Sequence, residues 1–82
     1  MIYIITPYLS DLRQVCIDNG IMYQIKNGKL LNKNIIWIHD LICLQLFTIK
    51  KHDKIYFGEQ CDKFPKDQLD TLINEIEKRK VK

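Results

Sequence analysis

The chain has 82 residues, 46% hydrophobic and 28% charged, with thirteen Lys and Arg against ten Asp and Glu for a net charge of +3. That balance describes a single small globular domain over residues 1–82 and excludes a disordered chain. It also excludes a strongly acidic mimic of DNA, and the only long apolar stretch, LICLQLFTI at 41–49, is broken by Gln45 and Thr48 and is too short to cross a bilayer.

The first apolar run, Ile2 to Ile5, reads as a buried strand that starts too early to leave room for a secretion signal, so a cytoplasmic protein is expected. A helix follows, with Leu9, Leu12, Val15 and Cys16 on one face and Ser10 or a neighbour as its cap. Asn19-Gly20 stops it, because glycine readily takes the left-handed conformation beyond a helix end. Tyr23 to Lys26 can form a strand, and Asn27-Gly28 is a strong signal for a two-residue hairpin. Whether 29–34 completes that hairpin is open from sequence. Residues 35–38, Ile-Ile-Trp-Ile, form a second buried-strand candidate.

Asp40 is placed to cap a helix over LICLQLFTIKK, with Lys50, Lys51 and His52 suiting its carbonyl end. Lys54 to Gly58 reads as another strand. Pro65 then opens a last helix, entered by Phe64, with Leu69, Leu72, Ile73 and Ile76 on one face. The alternation of strand and helix predicts a small three-layer sheet of three or four mainly parallel strands with three helices. A ferredoxin-like βαββαβ arrangement is the alternative if the Asn27-Gly28 hairpin forms.

The stretches IYIITPYLSDLRQVCIDNGI, WIHDLICLQL and DKIYFGEQ resemble the two halves of small Rossmann-like proteins encoded by bacteriophages. The resemblance spans most of the chain except 22–34. It implies a Rossmann-like fold and a viral origin, hence the cytoplasm of a bacterial host, and it carries over no catalytic residue.

The corner Thr6-Pro7-Tyr8 sits where a nucleotide-binding fold would place its glycine-rich loop. It has no glycine, Pro7 lacks an amide, and no Lys-Ser or Lys-Thr pair follows, so no nucleotide or other cofactor is expected there. A parallel sheet would still gather Thr6, Tyr8, His39, Asp40, Glu59, Gln60 and Cys61 at its carboxyl edge, where such folds bind ligands. His39 beside Glu59 or Cys61 would make an acid–base or thiolate pair if the two met. The plainer reading makes Asp40 a cap, Glu59 and Gln60 solvated loop, and Cys61 a packed thiol. His39 and Cys43, four residues apart, with His52 and Cys61, fall short of the two close ligand pairs of structural zinc, so no metal is expected. Three cysteines cannot all pair within one chain, which fits reduced thiols.

Lys26, Lys29 and Lys33 lie near Tyr23 and Trp37, and Lys78, Arg79 and Lys80 end the last helix. These are the candidate partner or nucleic-acid contacts, since cations can follow a phosphate backbone while an aromatic ring stacks on bases. The longer basic-Gly-aromatic signature of RNA-recognition motifs is absent. The leading expectation is a non-enzymatic, phage-encoded protein that binds and modulates or inhibits a host protein of the nucleic-acid-processing or defence machinery. An accessory DNA- or RNA-binding protein is the alternative, and a small enzyme using the sheet edge is third. A phage protein is another expected partner, as is a second copy of the chain, because a domain this small gains from burying more apolar surface.

Overall fold

The computed structural model describes residues 1–40, 50 and 52–79. In chain order the elements are β1 (Ile2–Ile5), α1 (Leu9–Asp18), the short strands β2 (Ile25–Lys26) and β3 (Lys29–Leu30), β4 (Ile35–Ile38), β5 (Lys54–Phe57), a 3-10 turn over Glu59–Lys63, and α2 (Lys66–Arg79).

The run of isoleucines in β1 suits a central strand, and the sheet order is β4-β1-β5 with both pairings parallel. Ile4 lies level with Trp37 and Tyr56, and Ile5 with Ile38 and Phe57. Successive strand residues face opposite ways, yet Ile4 and Ile5 are both fully buried, so β1 is covered on its two faces. On one face Ile4 and Ile35 pack with Leu12, Val15 and Cys16 of α1. On the other, Tyr3, Ile5 and Ile38 pack with Phe64, Leu72 and Ile76 at the entry to and along α2. Each such isoleucine contributes about 1.5–3 kcal/mol relative to an exposed one.

Helix α1 stops as its sequence dictates. Gly20 takes φ 66°, its amide donates to Ile17 O at 3.3 Å, and the amide of Ile21 reaches back to Cys16 O at 2.8 Å. Those two bonds make a Schellman motif, and Ile21 packs against the α1-side core. The start differs from expectation. Tyr8 occupies the N-cap position without a side-chain cap bond, while Ser10 lies inside the helix, where its backbone is no longer extended as a cap requires.

The Asn27-Gly28 hairpin forms, with φ 54° and 73° at the two residues, the positive pair that a type I′ turn needs. It does not lead to a ferredoxin-like fold. Strands β2 and β3 pair only with each other, and Ile25 and Leu30 pack on the α1-side core, so the hairpin adds no antiparallel strand to the main sheet. Asn32 ties its base, accepting from the amide of Gln24 at 2.7 Å and donating to Met22 O at 3.3 Å.

Among the described residues there are two α-helices, and the expected helix over LICLQLFTIKK lies outside them. Helix α2 begins after Pro65, whose carbonyl accepts from Leu69 N at 2.9 Å. Leu72 and Ile76 are buried, but Ile73, expected beside them, stands 42% exposed. It lies one residue round the helix from Leu72, beyond the stripe that meets the sheet. No helix among the described residues is long and apolar enough to cross a membrane.

Candidate functional site

Parallel pairing directs the ends of β1, β4 and β5 toward one edge, and the polar residues after them collect there. Thr6 is fully buried and uses every polar group it has. Its amide donates to Ile38 O at 3.1 Å, and its carbonyl accepts from the indole Nε1 of Trp37 at 2.9 Å. Its hydroxyl donates to Asp11 Oδ2 at 2.7 Å and accepts from the amide of Tyr8 at 3.4 Å. Thr6, Pro7 and Tyr8 themselves thus leave no amide for an anion: Pro7 has none, and those of Thr6 and Tyr8 are committed.

Asp11, in the first turn of α1, is the centre of this network and was not singled out by the sequence. It is buried, and Oδ2 also accepts from the backbone amide of Gln60 at 3.0 Å. One internal carboxylate thus stands beside a helix start, where a nucleotide-binding fold would hold phosphate. Gly58 makes room for it. A Cβ at that position would overlap Asp11 Oδ2 and come within 2.9 Å of Thr6 Cβ. The sequence signals were a glycine just after the third strand of the sheet and an acid in the first turn of α1, but nothing local linked residues 47 positions apart.

Outside this network an open cleft of about 360 Å³ is lined by Tyr8, Ser10, Asp11, Gln14, Glu59 and Gln60. Tyr8 and Gln60 of the edge residues reach it, together with Glu59. His39 and Cys61 do not meet across the edge. His39 lies 3.5 Å from Asp40 and 4.7 Å, ring to ring, from Trp37, whose indole packs on the α1 side of the sheet. Cys61 packs on the α2 side and donates its thiol to Ile5 O at 2.7 Å. The sheet stands between them because β4 side chains alternate and His39 shares a face with Trp37. Burial, with the nearby Asp11 and Asp62 charges, pushes the Cys61 thiol above the usual cysteine range, which disfavours the nucleophilic thiolate. Cys16 is raised by burial as well. Cys43 lies outside the described residues, and among those described no three His, Cys, Asp or Glu side chains group as a metal site.

The basic candidates separate into two places. Lys26 and Lys29 face each other across the hairpin, with Lys33 just beyond; all three are exposed and form no ion pair among the described residues. Like charges directly opposite are mildly destabilising, so the hairpin tip carries an unneutralised cationic point. Trp37 is half-buried, and its N–H is donated to the Thr6 carbonyl. On α2, Lys78 lies 3.6 Å from Glu75, Arg79 is the last helical residue, and Lys80 is outside the described residues. Compared with known proteins, the chain matches no family model, no curated sequence and no solved structure.

Proposed function

We propose that this chain is a non-enzymatic binding module, of the phage-encoded and host-directed kind its sequence resembles, that docks on another protein and modulates it. The observation that carries the reading is the internal use of the sheet's carboxyl edge. Thr6, Asp11, Gln60 and Cys61 hydrogen-bond to one another or to the backbone there, and His39 lies on the other side of the sheet from Cys61. On this reading the fold is a Rossmann-like scaffold, with β1 at the centre and the strand order reversing beside it. The switch point that usually receives a cofactor is spent on stability.

The test is capture from nuclease-treated bacterial lysate on the immobilised chain, followed by reconstitution with the purified candidate. One protein of the replication, transcription or defence machinery at near-equal stoichiometry is expected. Recovery of nothing that reconstitutes removes the proposal.

A second reading has its own observation: Lys26, Lys29 and Lys33 at the hairpin are exposed and form no ion pair among the described residues. If they track a phosphate backbone, affinity for single-stranded DNA or RNA falls steeply with salt, by about 0.7 logarithmic unit of slope per phosphate neutralised. An anisotropy titration at low ionic strength with no salt-sensitive complex disposes of it.

A further inference from the structure

The carboxylate that fills the phosphate position leaves half of itself unused. Asp11 is only 6% exposed, and both hydrogen bonds it accepts go to Oδ2. Its other oxygen, Oδ1, accepts none, yet no buried side-chain oxygen among the described residues lacks a partner. Oδ1 must therefore reach solvent, and the surface Asp11 shares is the cleft with Tyr8, Ser10, Gln14, Glu59 and Gln60. A carboxylate held rigidly by its far oxygen, with the near one open, is a prepared acceptor.

Every other side chain of the lining can accept a hydrogen bond as well. Glu59 adds a second carboxylate, and among the described residues no Lys, Arg or His lines the cleft. Gln14 donates one amide N–H to Asp18 Oδ1 at 2.8 Å and keeps its carbonyl oxygen as an acceptor beside a second N–H. Tyr8 keeps 48% of its surface exposed at the rim, where an aromatic ring attracts a cation. Several acceptors around one small space, with a ring beside them, suit a planar cation with several donors better than a point charge.

We propose that this cleft receives an arginine side chain of the partner protein, its guanidinium bonding Asp11 Oδ1 and Glu59 and lying against Tyr8. The proposal rests on the protein-binding reading and names what that partner must present: an exposed arginine. An anion is turned away from the same place by the two carboxylates.

The experiment follows backbone amide shifts of the ¹⁵N-labelled full chain during titration with N-acetyl-arginine amide. The neutral isostere N-acetyl-citrulline amide and the cationic N-acetyl-lysine amide serve as comparisons. Saturable shifts are expected at Tyr8, Ser10, Asp11, Gln14, Glu59 and Gln60 with the arginine probe and none with citrulline. The lysine probe should bind about threefold more weakly, and Glu59→Gln and Tyr8→Ala, both at exposed positions, should each weaken the arginine probe about threefold. Equal response to arginine and citrulline, or shifts centred elsewhere, overturns the site, and so does an arginine affinity unchanged in both variants. A captured partner that binds Glu59→Lys as tightly as the native chain also overturns it while leaving the binding-module reading in place. If no partner is found, that reading falls and the probe titration alone decides the cleft.

Discussion

Replacing Gly58 by alanine should damage this protein far more than its backbone geometry suggests. Gly58 has φ −72° and ψ 160°, a conformation any residue adopts, so the demand on glycine is purely one of space. A Cβ there overlaps Asp11 Oδ2 and also comes within 2.8 Å of Asp11 Cγ. Asp11 must swing away, which breaks its bonds from the Thr6 hydroxyl and the Gln60 amide. Each is a hydrogen bond to a charged group, contributing about 1.5–3 kcal/mol. The lower entropy of an unfolded chain with alanine returns about 0.4–1 kcal/mol. A net loss of about 2–3 kcal/mol follows if part of the network re-forms, equivalent to a fall in Tm of about 10–20 °C for a domain of this size. Thermal and urea unfolding of Gly58→Ala, Asp11→Ala and the double variant would measure it. In the Asp11→Ala background the alanine at 58 should cost less, because the carboxylate it displaces is gone and only the close approach to Thr6 Cβ remains. Wild-type stability for Gly58→Ala, or an equal cost in both backgrounds, would refute the reasoning.

Other consequences are smaller in scope. Gly28→Ala meets no neighbouring atom within 4 Å, but its φ of 73° costs an alanine about 1–2 kcal/mol, so a loss in that range by urea unfolding is expected. Cys61, with its thiol donated to Ile5 O and its ionisation pushed up, should be alkylated by iodoacetamide with a midpoint above that of a free cysteine. Peptide mapping separates it from Cys16 and Cys43. The Lys50 amide, donated at 2.8 Å, holds the Asp53 carboxyl below the usual carboxylate range. A depressed carboxyl favours the folded state above its unfolded value and loses that contribution as pH falls through the folded one. Asp53→Asn should therefore flatten the acid limb of a stability–pH curve measured downward from pH 5.

The local parts of this fold were legible because their causes are local. The isoleucines of β1, the Asn19-Gly20 stop, the Asn27-Gly28 turn and the entry of α2 after Pro65 each follow from residues adjacent in sequence. What escaped was set by residues far apart. The Trp37 indole donates to the carbonyl of Thr6, 31 positions away, a bond that no adjacent residue announces. Ser10 suited a cap by type, and only the backbone at Tyr8 shows that the helix has already begun there. The hairpin was readable while its place in the molecule was not. Two-residue strands carry too few ladder bonds to fix which sheet they join, and the packing of Ile25 and Leu30 decided it. The candidate site shows the same division. Parallel pairing ends the three strands at one edge as the alternating pattern implied, whereas Asp11, which ties Thr6 to Gln60, was visible only as an acid in a helical first turn.

The central claim is that an internal carboxylate occupies the corner after β1 and shuts it to phosphate. The most direct measurement is an amide-shift titration of the full chain with ATP, with and without magnesium. Residues 6–11 and 58–60 should show no saturable shift; a saturable shift confined to those residues would contradict the claim.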